Sequence, residues 1–396
     1  MKKIYVVLVG IFVFGFMALI AIYFPATALP TNSDFSAIYN TDVALVNRIP
    51  IYDLVAVREF VQPLSKVPDE NFFLARFPYP AWYALSTFYL GLLPASSAAT
   101  LWFEINLLIL FLSVWFLTDG WNGRLRLISF PFALLFLPVL GALSIGQYDF
   151  PVLLGTSLIL FGLKKENILS VVIGTMLITF KPHIGGLIFI FLLIWLFFKQ
   201  NEFGKRSIKY VFFSLFTLCL LGFLADLNWI RGYLNMLLNY QNEGNVTSCS
   251  ECISVPMLIS RWLFDGSLRT AIFIGLTLLI LFSILYFFKR DLFLKSSTVF
   301  ITTALITTLW ISPYFYNYDF ILLLIPFAFL IENRINKFTG IVVILCFLIP
   351  YFAIGMYGRA GNISLILITL LITIIFYSQI RALTTRPQAH TMQTTK

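Results

Sequence analysis

Long apolar segments alternate with short polar segments along almost the whole chain. Twelve apolar runs approach the about 17–25 residues that a helix needs to cross a bilayer, although several are shorter. They cover residues 4–24, 97–117, 127–145, 149–163, 168–182, 184–198, 209–227, 271–288, 297–312, 319–331, 338–355 and 362–380. The runs are continuous, whereas the strands of a β-barrel alternate residue by residue. The pattern predicts an all-α polytopic membrane protein with about twelve transmembrane helices.

One further run, 79–94, is ambiguous because Pro80 interrupts it, Pro94 ends it and it is brief for a span. The positive charges decide its placement. If 79–94 lies on the outer surface, sixteen later Lys and Arg residues face the cytoplasm and five face outside. If 79–94 spans the membrane, the two sets exchange sides. The sixteen are Arg124, Arg126, Lys164, Lys165, Lys199, Lys205, Arg206, Lys209, Lys289, Arg290, Lys295, Arg334, Lys337, Arg381, Arg386 and Lys396; the five are Lys181, Arg231, Arg261, Arg269 and Arg359. The positive-inside rule favours the outer placement.

This topology places both termini in the cytoplasm and leaves two long outer loops, 25–96 and 228–270. It predicts one integral-membrane domain over 1–380 in the cell membrane, followed by a disordered cytoplasmic tail, 381–396. The first run, 4–24, is longer than the apolar part of a usual signal peptide, which favours a retained helix. Ala26-Thr27-Ala28 resembles a cleavage site, so a signal peptide is the alternative. Either interpretation puts Asp34 outside the cytoplasm.

Composition agrees with this class. Of the 396 residues, 60% are hydrophobic and 11% charged, and the mean hydropathy is +0.91. The net charge of +9 sits in short clusters between apolar runs, which is typical of topology signals and does not suggest a nucleic-acid partner. Four cysteines are too few for a disulfide scaffold. CSEC at 249–252 lacks the second ligand pair of a zinc site, so we expect a local disulfide or a pair of free thiols.

Five polar clusters lie on the outer side in this topology. They are Asp34, RFPYPAW (76–82), SIGQYDF (144–150), FKPHIGG (180–186) and SPYFYNYDF (312–320). Polar groups near membrane depth are costly and tend to mark substrate paths. Their shared side therefore indicates a single site.

Each cluster also has a purely structural interpretation. Asp34 and Asp149 could cap the helices that follow them, and Pro78 and Pro80 could simply break a helix. Lys181 could extend its ammonium to the membrane interface. His183 could be a hydrogen-bonded interface residue, and the aromatic residues of 314–318 could belong to an interfacial belt.

The order of the motifs resembles glycosyltransferase family 87. An Asp follows the first span, then come IYD at 51–53, F-x-Y-P, G-Q-x-D at 146–149 and K-P at 181–182. The resemblance covers roughly residues 30–200 and continues more weakly through SPYFYNYD. The chain departs from the family pattern at Pro80-Ala81, where two prolines are usual, and at Asp149, where Asn is usual. The late histidine of well-studied mannosyltransferases has no counterpart in YFYNYD.

The resemblance implies a GT-C-type membrane fold and a hexosyltransferase of the cell envelope, mannosyltransferase-like, that uses a polyprenyl-phosphate sugar. The acceptor would be a glycolipid, a glycan or a protein. Nucleotide sugars are not expected outside the cytoplasm, which also favours a lipid-linked donor.

The chemistry assigns roles to the candidate residues. The attacking hydroxyl must lose a proton, and Asp34 is the candidate general base. The leaving phosphate needs fixed cations or hydroxyls. The expected substrate-binding residues are Lys181 for the phosphate, with His183, Tyr314 and Tyr316 as helpers; Gln147 and Asp149 for sugar hydroxyls; and Tyr79 and Asp319. No acid, His or Cys cluster has metal-ligand spacing, so we expect neither a metal nor another cofactor.

Two other functions fit the hydropathy. A transporter or flippase of lipid-linked sugars would be expected to show internal repeats and polar residues at mid-membrane. We find no repeat, and the polar residues gather at one face. A polysaccharide polymerase or ligase would use arginines of a late outer loop, for which Arg231, Arg261 and Arg269 are available. The early motifs favour the transferase.

Overall fold

The computed structural model describes residues 34–65, 74, 76–240, 252–264, 266–287, 296–332, 337–354 and 359–385. Within these ranges every regular element is a helix. The α-helices are α1 (Asp34–Val46), α2 (Leu54–Ser65), α3 (Ala81–Thr87), α4 (Ala95–Leu117), α5 (Gly123–Leu134), α6 (Leu137–Ile145), α7 (Asp149–Lys165), α8 (Ile168–Ile178), α9 (Pro182–Lys199), α10 (Glu202–Ala225), α11 (Trp229–Tyr240), α12 (Val255–Leu263), α13 (Gly266–Phe287), α14 (Ser297–Ile311), α15 (Leu324–Glu332), α16 (Lys337–Ile354) and α17 (Arg359–Thr385). Two 3-10 helices, Phe88–Leu92 and Asn317–Leu323, precede α4 and α15.

The apolar runs from residue 97 onward coincide with helices. Run 127–145 forms two of them, α5 and α6, which meet at a bend of 57°. Pro138 in the first turn of α6 is at a position that accepts proline, since its missing N–H would have no helical partner there. The ambiguous run 79–94 forms α3 and the first 3-10 helix, both short.

Among the described residues, three helices are long and apolar enough to cross a membrane, namely α4, α9 and α10, and the bent pair α5–α6 would make a fourth. Several other predicted spans are apolar but shorter, with 10–17 residues. The all-helical class is thus confirmed for the described residues. The number of about twelve spans stays a prediction, and the first predicted span, 4–24, lies outside the described residues.

Helix α7 runs through the centre of the bundle and is buried along almost its whole length. It packs closely on α8, since a Cβ at Gly155 would lie 2.6 Å from the carbonyl oxygen of Gly174. Its 17 residues correspond to a length of about 25 Å. The helix therefore separates the two ends of the bundle by nearly the thickness of a bilayer core.

The two ends of α7 carry different charged groups. At its C-terminal end, Lys164 pairs with Glu332 (2.7 Å) and Lys165 with Asp119 (3.0 Å). At its N-terminal end lies Asp149, the first residue of the helix. The candidate site is built at this N-terminal end.

The chain beyond the bundle differs slightly from the predicted tail. Helix α17 continues to Thr385, so the first residues of the predicted tail, 381–385, are helical. Residues 386–396 lie outside the described residues.

Candidate active site

Asp34 is the first residue of α1, and its carboxylate accepts a hydrogen bond from the side-chain amide of Gln147. The side-chain oxygen of Gln147 accepts from the backbone N–H of Tyr148 (3.3 Å), which turns the amide nitrogen toward Asp34. The hydroxyl of Tyr148 donates to the backbone carbonyl of Asp34 (2.9 Å). The segment before α7 therefore fixes both the side chain and the backbone of Asp34.

Gly146 explains how this segment approaches α1. It ends α6 with a φ of +69°, which disfavours any residue with a side chain. A Cβ there would also lie 2.6 Å from the Cβ of Phe35. The glycine of the G-Q-x-D motif thus permits both the turn and the close contact that brings Gln147 to Asp34.

Lys181 forms a buried ion-pair cluster with two carboxylates. Its ammonium lies 2.6 Å from Asp149 Oδ1 and 2.5 Å from Asp319 Oδ1. Asp149 and Asp319 are fully buried and Lys181 is 2% exposed. Such an arrangement needs these contacts, because each charge would be costly to bury alone. The three residues join the N-terminal ends of α7 and α9 to the second 3-10 helix.

Asp319 also organises the segment before it. Its Oδ2 accepts the backbone N–H of Tyr316 at 2.6 Å. The rings of Tyr316 and Tyr318 stack at 5.1 Å between centroids, and the Lys181 ammonium lies 5.1 Å from the centre of the Tyr318 ring. The aromatic motif YNYD therefore covers the ion-pair cluster.

His183 and Tyr314 lie beside this cluster. Their rings are 6.0 Å apart, and the Ser312 hydroxyl donates to the backbone carbonyl of His183 (3.4 Å). His183 belongs to the first turn of α9, two residues after Lys181. The predicted pair is therefore part of the same end of the bundle.

Tyr79 connects the aromatic residues of the first outer loop to the site. Its buried ring lies 4.2 Å from that of Tyr148, and its backbone carbonyl accepts a hydrogen bond from the Tyr52 hydroxyl (2.7 Å). Asp53, the next residue of the IYD motif, accepts the backbone N–H groups of Val55 and Ala56 (both 3.1 Å) and so caps α2. The IYD motif is therefore a structural support at this end.

The structure thus brings the predicted site residues to one end of the bundle, in two adjacent groups joined through residues 147–149. Two contributors were not predicted, Tyr148 and Tyr318. The signal for each was its position between two predicted residues, Gln147 and Asp149 in one case and Tyr316 and Asp319 in the other. Within the described residues, no three His, Cys, Asp or Glu side chains are grouped so that they could hold a metal ion.

Cys252, the last residue of CSEC, lies close to the site. Cys252 is disulfide-bonded, as in the first of the two predicted alternatives, and its partner lies outside the described residues. The next backbone N–H, of Ile253, donates to the carbonyl of Phe315 (2.8 Å). The second outer segment is therefore tied to the motif that covers the ion-pair cluster.

Comparison with protein families connects this geometry to a known class. The sequence model of glycosyltransferase family 87 matches residues 77–313, more than half of the chain. The match begins after Asp34 and includes Tyr79, Gln147, Asp149, Lys181 and His183. It ends before Tyr314, Tyr316 and Asp319. Comparisons with curated proteins and with solved structures gave no match. The chain belongs to glycosyltransferase family 87 and is therefore a glycosyltransferase.

Proposed function

We propose that this glycosyltransferase moves a sugar, mannose or another hexose or pentose, from a polyprenyl-phosphate donor to an acceptor outside the cytoplasm. The acceptor is a glycolipid, a glycan or a protein. The chain would cross the cell membrane about twelve times with both termini in the cytoplasm. The cation-rich opposite end of α7 supports this orientation, because positive residues favour the cytoplasmic side.

The observation that carries the proposal is the exposure of Asp34. Three carboxylates of the described residues near the predicted site, Asp42, Asp149 and Asp319, are fully buried. Asp34 is partly exposed and is oriented by Gln147. It can therefore meet an incoming hydroxyl, which the buried carboxylates cannot do without rearrangement.

In the proposed reaction the acceptor hydroxyl oxygen bonds to the anomeric carbon of the sugar. The bond between that carbon and the phosphate oxygen breaks, and its electron pair leaves with polyprenyl phosphate. Asp34 takes the hydroxyl proton, which requires that a carboxylate oxygen of Asp34 lies within hydrogen-bond reach of the hydroxyl. Gln147 and Tyr148 hold Asp34 in position.

We assign the donor phosphate to the Lys181 side of the site. An ammonium has three N–H donors, and the two carboxylates occupy two of them. The third can donate to a phosphate oxygen once Tyr316 and Tyr318, which cover the buried ammonium, move aside, and His183, Tyr314 and Tyr316 are nearby to contribute further contacts. Asp149, Asp319 and Tyr79 would shape the sugar pocket between this group and Asp34.

The test compares two substitutions of Asp34. Asp34→Asn removes the basicity and keeps the size, so turnover should fall by about 10²–10⁴-fold while thermal stability stays near that of the unchanged protein. Asn caps helices about as well as Asp. If Asp34 only caps α1, Asp34→Asn stays active and Asp34→Ala alone is unstable.

The assay uses the purified full chain and a panel of polyprenyl-phosphate sugars, with release of polyprenyl phosphate as the measurement. Asp53→Asn is the matched control, because Asp53 caps α2 with an exposed side chain. It should keep normal turnover. Near-normal turnover of Asp34→Asn would remove Asp34 from the mechanism.

A further inference from the structure

Helix α11 has one sector that packs on the protein. Trp229 and Met236 are buried in this sector. Gly232 approaches Tyr52 so closely that a Cβ would lie 3.0 Å from the tyrosine Cβ, and the Tyr233 ring lies 5.7 Å from that of Tyr52. This sector seats α11 against the first outer loop.

A second sector is apolar and exposed. Ile230, Leu234 and Leu237 follow each other at four- and three-residue steps, which place them on one stripe of α11, and Leu227, in the turn just before the helix, extends this stripe. Leu227 is 80% exposed and Leu234 is 52% exposed. An apolar stripe of this length is unusual on a surface in contact with water.

The third sector is polar and borders the stripe. Asn228, Arg231 and Asn235 are exposed and, with three residues of the stripe, line an open cavity of about 470 Å³. Arg231 is the cation of this sector. A guanidinium binds phosphate oxygens with two parallel hydrogen bonds, which suits a phosphate ligand.

The stripe continues the surface of a candidate membrane span. Helix α10 ends at Ala225 and α11 begins at Trp229. Phe216, Leu220 and Leu224 of α10 are exposed, and Leu227 follows them. The exposed apolar surface of α10, a candidate membrane span, is therefore followed within a few residues by the stripe of α11.

We propose that α11 lies in the membrane interface, with its stripe among lipid acyl chains and Arg231 at the phosphate of an anionic lipid headgroup. Amphipathic helices with an apolar face and a polar face that carries basic residues bind membranes in this way. The continuity with α10 and the positive charge next to the stripe select a lipid surface as the occupant. Tyr52, which packs on the first sector of α11, also donates a hydrogen bond to the backbone carbonyl of Tyr79 at the site.

The first experiment maps the sectors by spin labelling of the full chain in lipid vesicles. The labels are attached at Leu234→Cys and Asn235→Cys, two adjacent positions that belong to different sectors. Both variants also carry Cys219→Ser and Cys346→Ser, which remove the free cysteines of the described residues. A label at 234 should be accessible to oxygen dissolved in the bilayer and protected from a water-soluble nickel complex. A label at 235 should show the opposite. Water access at 234, or a crosslink from 234 to a second copy of the chain, would overturn the proposal.

The second experiment measures binding of phosphatidylglycerol to the detergent-purified chain. One basic residue near an anionic surface contributes about fivefold to binding, so Arg231→Gln should weaken it about fivefold, and Arg231→Lys, which keeps the charge but not the two parallel hydrogen bonds, should weaken it less. The control is Arg124→Gln, which removes an exposed charge from α5. Equal binding by the Arg231→Gln and Arg124→Gln variants, both melting like the unchanged protein, would refute the phosphate contact. These measurements involve no sugar transfer and stand apart from the test of Asp34.

Discussion

Asp42 is a buried carboxylate in the middle of α1. The Thr87 hydroxyl donates to its Oδ1 (3.1 Å), and its Oδ2 has no hydrogen-bond partner among the described residues. Burial raises the pKa of Asp42 well above its usual value, and the hydrogen bond from Thr87 offsets only part of this effect. The folded protein therefore favours the protonated carboxyl group.

The stability of the protein should consequently depend on pH through Asp42. The pKa of Asp42 is higher in the folded protein than in the unfolded chain, where it is near 3.8. The protonated carboxyl group therefore stabilises the fold fully below pH 3.8, and this stabilisation is lost as the pH rises through the folded-state pKa. Asp42→Asn cannot ionise and keeps an acceptor for Thr87. The melting temperature of Asp42→Asn should exceed that of the unchanged protein by a margin that grows with pH. A margin that stays constant with pH for Asp42→Asn would contradict the argument.

At the scale of the elements, a glycine contact sets how closely α1 packs on the first 3-10 helix. A Cβ at Gly91 would lie 2.4 Å from the backbone carbonyl carbon and oxygen of Asp42, which cannot move aside as a flexible side chain can. Gly91→Ala should therefore force α1 away from the first 3-10 helix and lower the melting temperature. Gly141→Ala is the control, because nothing lies within 4 Å of its added Cβ. Equal melting temperatures of the two variants would mean that this contact is loose.

The ion-pair cluster makes a second prediction at this scale. Lys181→Met leaves Asp149 and Asp319 buried without their cation, at a cost of about 3–5 kcal/mol. Adding Asp149→Asn and Asp319→Asn removes both negative charges and should restore most of the stability. If Lys181 also contacts the donor phosphate, as proposed, the restored triple variant stays inactive in the polyprenyl-phosphate release assay. A stable and active triple variant would limit Lys181 to a structural role.

The elements were more predictable than their contacts. Apolar runs mark α4, α7 and α9 because a helix that must avoid water needs a continuous apolar sequence. The pairing of Lys181 with Asp149 and Asp319 spans 32 and 138 residues and depends on how three elements pack. Sequence order therefore placed these residues at one end but could not reveal that they neutralise one another.

At the scale of the whole molecule, sidedness decides which donor can reach the site. The site lies at the N-terminal end of α7 and the lysine-rich contacts lie at its C-terminal end, about 25 Å away along the helix. If α7 crosses the membrane, these ends face different compartments. The disulfide at Cys252 fits an oxidising compartment at that end, because the next residue, Ile253, donates its backbone N–H to the carbonyl of Phe315 beside the site.

Cysteine labelling in whole cells tests this arrangement. Asn317 is exposed next to the ion-pair cluster, and Glu202 is exposed at the start of α10, near Lys205 and Arg206. A membrane-impermeant maleimide should label Asn317→Cys in intact cells and Glu202→Cys only after permeabilisation, in the Cys219→Ser, Cys346→Ser background. If Asn317→Cys is labelled only after permeabilisation, the site faces the cytoplasm. Nucleotide sugars would then be available, and the reason for a lipid-phosphate donor would be lost even though the enzyme remained a glycosyltransferase.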